Sequence, residues 1–240
     1  MKGKLILSAV AASAFVMPAF AQDAAKPVAK AKTTKARGTA YVRVLHAIAG
    51  GPRVDVYVDG KKTLDDVAFK TISDYMAVPS GQRAFSINAA TKTDVLLTEK
   101  KNLVADKYYT VAATTTAGKP SFFVQNESTG TMKDGLAQIR VFHLAAGAPA
   151  VDITTPSARK NAKGGYARLM TNLAFKKTKS NSRVTPKTYT LQVRAGEKLL
   201  KEVPNVQIEA GKRYSVFAVG KADGVGDEAF DVLVKPVVMK

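Results

Sequence analysis

The chain contains two histidines, His46 and His143, and each is followed nine residues later by an aspartate, Asp55 and Asp152. A His–Asp pair is the orienting half of an acid–base or nucleophilic site, because the carboxylate fixes the imidazole tautomer and supports the cation formed during proton transfer. The other half would be a nucleophile with an oxyanion hole. No G-x-S-x-G elbow is present, and no serine occupies equivalent positions beside both histidines. A buried, hydrogen-bonded histidine that closes a loop needs nothing further, so no catalytic residue is assigned. An acyl- or glycan-modifying enzyme built on the His–Asp pairs stands as the alternative. Two distant histidines without any cysteine make no ligand set for a metal. Asp55, Asp59, Asp65 and Asp66 lack the D-x-D-x-D-G loop and distal glutamate of a calcium site, and read as turn and solvent-facing residues. Glycine loops that cradle phosphate are absent too. Neither metal nor cofactor is expected.

The residues that would position these side chains occur twice. Residues 42–56 read VRVLHAIAGGPRVDV and residues 139–153 read IRVFHLAAGAPAVDI, at an offset of 97 that superposes both histidines and both aspartates. A period of this length indicates two copies of one structural unit. Within each unit the apolar period is two: Val54, Val56 and Val58 alternate with Asp55, Tyr57 and Asp59, and Asp59-Gly60 offers a hairpin turn. His46 shares the parity of Val42 and Val44, so it should point into the core, as His143 should with Ile139 and Val141. The stretch 162–172 is the one place where a helix longer than a turn could form. Leu103-x-Ala105-x-x-x-Tyr109 recurs as Ile208-x-Ala210-x-x-x-Tyr214, a spacing that suits a tyrosine corner; two ordinary strand tyrosines are the plainer reading. Short strands with closely spaced turn signals predict an all-β chain of two tandem immunoglobulin-like Greek-key β-sandwiches.

Charge is distributed unevenly. The formal net charge is +18, and residues 136–240 hold 18 basic against 8 acidic side chains, whereas residues 39–135 hold 12 against 10. From 153 to 196 there is no acidic residue, but there are Arg159, Lys160, Lys163, Arg168, Lys176, Lys177, Lys179, Arg183, Lys187 and Arg194. Part of this run is an insertion: the offset grows from 97 at His143 to 106 at Ala174, which matches Ala68. Loop material added to a rigid sandwich is where binding tends to sit, and a concentrated positive field attracts polyanions. Generic basicity that serves solubility is the bland alternative. Few aromatics interleave the run, so nucleic acid is not the expected partner.

The N-terminus reads as an export signal: Lys2 and Lys4, an apolar Leu5–Val16, then Ala19-Phe20-Ala21 as a cleavage site. The apolar stretch is too short for a transmembrane segment, although an N-terminal anchor is the competing reading. The expected organisation is a signal peptide (1–21), a disordered basic linker (22–38), a first sandwich (39–127), a linker (128–136) and a second sandwich (137–240). The expected location is periplasmic or secreted.

The elements VRVLHAIAGGPRVDVYVDGKK and DVAFKTISDYMAVPSG resemble the domain-of-unknown-function 4397 family of secreted bacterial β-sandwich modules. The S-D-Y…P-x-G segment, A-D-K-Y-Y-T-V and the closing VLVKPVV are similar to the periplasmic alginate O-acetylation protein F group. That second resemblance implies a non-catalytic accessory role in exopolysaccharide modification, with acyl transfer done by other proteins. The sequence thus points to an exported binding protein for an anionic polysaccharide or an envelope protein partner. A structural adhesive or matrix subunit is the further alternative.

Overall fold

The computed structural model describes residues 38–90, 92–127, 133–157 and 165–238; the predicted signal peptide, the basic linker up to 37, and Arg159, Lys160 and Lys163 lie outside them. Alternating apolar residues give eight strands in the first unit: β1 (Thr39–His46), β2 (Val54–Val58), β3 (Lys61–Val67), β4 (Met76–Pro79), β5 (Gly81–Ala89), β6 (Val95–Leu103), β7 (Tyr108–Thr116) and β8 (Lys119–Asn126). The second unit repeats them as β9 (Ala137–His143), β10 (Val151–Pro156), β11 (Tyr166–Leu173), β12 (Thr178–Val184), β13 (Lys187–Ala195), β14 (Lys198–Ile208), β15 (Arg213–Val219) and β16 (Asp231–Pro236). The stretch considered for a helix is therefore strand β11 from Tyr166 onward.

Each unit is two four-stranded sheets. The first stacks the order β4-β1-β7-β8 against β3-β2-β5-β6, and the second stacks β12-β9-β15-β16 against β11-β10-β13-β14. The chain crosses between sheets after β1, β3, β4 and β6, as a Greek-key sandwich requires. The first strand of each unit takes a central place and runs parallel to the seventh. Between β2 and β3, Asp59 and Gly60 both adopt positive φ (51° and 80°), the primed turn that matches strand twist.

Val42, Val44, Val54, Val56, Phe85, Ile87, Tyr109 and Val111 fill the first core, and Ile139, Val141, Ile153, Leu173, Leu191, Tyr214 and Val216 fill the second. A third cluster joins the two. Leu45, Ala47 and Ala112 meet Phe142, Leu144, Phe217 and Val219, all buried. These side chains have the opposite parity to the inner cores, so β1 and β9 are buried on both faces. Fully burying each large side chain here stabilises by about 1.5–3 kcal/mol.

The two faces of this seam correspond. Leu45 matches Phe142, Ala47 matches Leu144, and Arg43 matches Arg140 at the offset of 97. Lys70 of the first unit reaches Asp231 on β16 at 3.2 Å, while its counterpart Lys176 donates to Thr116 and Ser121 at the β7–β8 turn (3.0 and 3.1 Å).

Candidate functional site: the basic edge of the second sandwich

The histidines close loops. His46 Nε2 lies 2.9 Å from the Pro52 carbonyl oxygen, and His143 Nε2 lies 2.9 Å from that of Pro149. In the first unit Nδ1 accepts the Ile48 N–H at 3.3 Å, which assigns the proton to Nε2 and makes the ring neutral. Both imidazoles are fully buried, with Phe69 and Phe175 packed edge-on against them. Burial lowers both pKa values below 6.5, and the hydrogen bond to the proline carbonyl opposes this only in part.

The aspartates turn to other partners, so the His–Asp contact raised by the sequence is not formed. Asp55 Oδ1 accepts the Asp66 N–H at 2.9 Å and Oδ2 accepts Lys62 Nζ at 2.6 Å. Those bonds, the backbone one first, hold the Asp55 carboxyl below its usual range. Asp152 repeats the arrangement with the Asn172 N–H at 2.8 Å and Arg168 Nε at 3.3 Å. Asp66 and Asn172 both sit at positive φ (52° and 51°), so each carboxylate pins a left-handed residue at the end of a strand. Asp59 accepts the Ala84 N–H and Arg83 Nη1, both at 2.8 Å. Tyr109 Oη accepts the Val104 N–H at 3.0 Å and Tyr214 Oη the Glu209 N–H at 3.1 Å, each from five residues upstream. Histidine, aspartate and tyrosine are therefore all engaged in holding loops and strand ends.

The basic run divides once placed. Lys176 is bound at the seam, and Arg168 is held by Asp152 and by the Tyr166 ring, 5.1 Å from its guanidinium. Arg194 stacks over the same ring at 4.3 Å. Lys179 and Arg183 on β12, Lys177 just before it and Lys187 at the start of β13 remain exposed. Lys187 lies over the Tyr189 ring at 4.7 Å. Both β11 and β12 are edge strands, one from each sheet of the second sandwich. The cleft between them, about 570 Å³, is lined by Leu169, Met170 and Thr171 on one side and by residues 179–183 on the other. Lys179 Nζ donates to the Thr171 carbonyl at 2.5 Å, and Asn181 Nδ2 to the Leu169 carbonyl at 3.3 Å, so polar side chains bridge the open mouth of the sandwich. Charges on an edge strand also prevent edge-to-edge pairing. Among the described residues no carboxylate pairs with Lys177, Lys179, Arg183 or Lys187. Along β12 hydroxyl and amide side chains, Ser180, Asn181 and Ser182, lie between the cations Lys179 and Arg183.

The side chain that the sequence did not single out is Glu127. Its carboxylate accepts Arg43 Nη2 at 2.7 and 2.9 Å, Arg43 Nε at 3.1 Å and Tyr75 Oη at 3.1 Å, together with the hydroxyls of Thr110 and Ser215. Ser215 belongs to the second sandwich, so the hydrogen bonds around this buried ion pair of the first unit cross the seam. Burial and the adjoining carboxylate raise the Tyr75 pKa.

Residues 40–154 match the model of the family described as Domain of unknown function (DUF4397). The match covers just under half of the chain. The DUF4397 match runs from β1 into β10 and so takes in His46, Pro52 and Asp55 with their counterparts His143, Pro149 and Asp152. The resemblance to the alginate O-acetylation protein F group rests on its sequence elements alone. No curated protein matches the chain. Among solved structures, a candidate cell adhesion protein of Bacteroides fragilis is 10% identical, with 78% of this chain and 84% of that one covered at a TM-score of 0.24. The family CBM26 module of Eubacterium rectale Amy13K, solved with maltoheptaose, is 11% identical over 83% and 97% of the two chains at a TM-score of 0.23. A candidate cell adhesion protein of Parabacteroides distasonis is 8% identical over 83% and 99% at 0.22. Likenesses this distant carry no ligand over to this chain. Among the described residues no helix is long and apolar enough to cross a membrane.

Proposed function

We propose that this protein is an exported, non-catalytic tandem β-sandwich that binds an anionic polymer of the cell envelope through the basic edge of its second sandwich. The observation that carries the reading is the exposed set of Lys177, Lys179, Arg183 and Lys187, without carboxylate partners among the described residues, of which Lys179 and Arg183 line the β11–β12 cleft. The engagement of both histidines by proline carbonyls supports a non-catalytic role, since neither Nε2 is available as a general base. The short apolar N-terminal stretch with its A-x-A site supports export. A finer version makes the protein an accessory factor in exopolysaccharide modification or export. Its support is the set of S-D-Y…P-x-G, A-D-K-Y-Y-T-V and VLVKPVV elements.

The test is retention on heparin and on immobilised alginate, with Lys177, Lys179, Arg183 and Lys187 all changed to glutamate. The reading expects wild-type protein to elute at raised salt and the variant to pass through, because exposed charge contacts are screened within about 8–10 Å at physiological ionic strength. Lys176 is left unchanged because its ammonium serves the seam. Equal elution of the two proteins would overturn the assignment.

A further inference from the structure

The seam is built from matching residues, and one groove breaks the match. At the offset of 106, Ser73, Asp74 and Tyr75 correspond to Lys179, Ser180 and Asn181. In the second unit these positions lie inside β12, which pairs with β9 from Thr178 to Asn181 and makes its one-residue register shift only after them, before Val184. In the first unit Ile72 makes only an isolated bridge to Leu45, and regular pairing with β1 resumes at Met76. Ser73 Oγ accepts the Val44 N–H at 2.9 Å, and the chain bulges outward through Asp74 and Tyr75.

The bulge opens a groove of about 400 Å³ against the second sandwich, walled by Ser73, Asp74 and Tyr75 on one side and by Lys235, Pro236 and Val238 on the other, with Arg43 also in its lining. The counterparts of Lys235 and Pro236 on β8 are Gln125 and Asn126, as the register of β7–β8 and β15–β16 shows. At that end the seam is shut: Arg140 Nη1 donates to the Asn126 carbonyl at 2.6 Å and Thr178 Oγ1 to Gln125 Oε1 at 3.4 Å. The duplication has therefore diverged where the groove lies, and the divergence supplies an aromatic ring, an exposed ammonium, an exposed carboxylate and an apolar wall.

We propose that this groove is a binding subsite for one carboxylate-bearing sugar residue of a polysaccharide. Tyr75 is held rigid by its hydrogen bond to Glu127, with the Arg43 guanidinium over its ring at 4.9 Å and the Tyr108 ring edge-on to it at 5.1 Å, so the part of the ring that lines the groove is a fixed amphipathic surface for the C–H face of a pyranose. Lys235 has no acidic partner among the described residues and would hold the sugar carboxylate. Asp74 accepts from ring hydroxyls, and Pro236 with Val238 covers the far side. A neutral sugar leaves Lys235 unanswered, and an inorganic anion leaves the ring unused, so the combination selects an acidic saccharide. The proposal does not depend on the basic edge, which lies on other residues.

The test is isothermal titration of the mature chain with a galacturonate trimer, with maltotriose as the neutral control. The expected result is one trimer site that weakens about tenfold in Lys235→Met, the loss of one charge-assisted hydrogen bond. Asp74→Ala should weaken it too, maltotriose should bind less well than the trimer, and the four-residue edge variant should keep the site. Absence of trimer binding at millimolar concentration would overturn the proposal, as would unchanged affinity in Lys235→Met. Loss of trimer binding in the edge variant alone would assign it to the edge and equally overturn the groove.

Discussion

Replacing Glu127 with glutamine preserves shape and removes one charge from the seam. Arg43 and Glu127 are 3% and 2% exposed in their side chains, so the guanidinium left behind has neither water nor a counter-ion. Breaking one partner of a buried ion pair costs about 3–5 kcal/mol, because the desolvated survivor goes uncompensated. That is a large part of the roughly 5–15 kcal/mol that typically holds a domain folded. The hydroxyls of Thr110 and Ser215 and the Tyr75 phenol also point at this carboxylate, so the amide must mismatch at least one donor. Guanidinium denaturation followed by circular dichroism should show the loss, and one cooperative transition should separate into two as the sandwiches uncouple. A double change, Arg43→Met with Glu127→Leu, should recover most of the stability, because it removes both partners of the pair together. The exposed Arg53–Asp66 pair, more than half accessible on each side, is the control: Arg53→Ala should cost about 1 kcal/mol or less. A Glu127→Gln penalty no larger than that of Arg53→Ala would refute the claim that the seam is dry around Arg43.

Stability should fall as pH drops below 6.5, because both histidines have folded pKa values beneath the unfolded one and the unfolded chain takes up protons first. The loss levels off once pH lies below the folded values. Urea midpoints measured across that range should flatten in the double His46→Gln, His143→Gln variant, and an unchanged slope would remove the histidines as the cause. A third expectation concerns a volume exchange between the copies. A Cβ at Gly51 would lie 2.7 Å from Ile48 Cγ2, whereas the matching pair in the second unit is Ala145 with Ala148. Gly51→Ala should cost about 1–3 kcal/mol by overpacking, and the Ile48→Ala background should relieve much of that cost. Strictly additive penalties would show that the contact is not what limits the site.

The sandwiches were legible because most strands bury one face, and Val54-x-Val56-x-Val58 or Phe85-x-Ile87 records that directly. The seam was harder to see, although half of its signal was present. Leu45, Ala47, Phe142 and Leu144 are apolar on the parity that should face solvent, but Arg43 and Arg140 on the same faces disguise it. Their partners explain the disguise: Glu127 is 84 residues from Arg43, and Arg140 uses the Asn126 carbonyl. The histidines suggested aspartate partners because side chains are what a sequence displays, yet each is satisfied by a proline carbonyl six residues on. Likewise the basic run is visible as composition, while Lys176 leaves it for Thr116, a contact 60 residues away.

A strand with apolar residues on both faces loses the usual protection against sliding. In a half-wetted strand, moving one residue along exposes every apolar group, and that penalty fixes the alignment. From Val42 to His46 β1 has no wet face, so Val42, Leu45 and their neighbours would fit either side nearly as well. Arg43 breaks the degeneracy: displaced by one position, its guanidinium would enter the inner core of the first sandwich, where no carboxylate awaits it. The buried charge thus acts as a key that admits a single threading of the chain through its two cores.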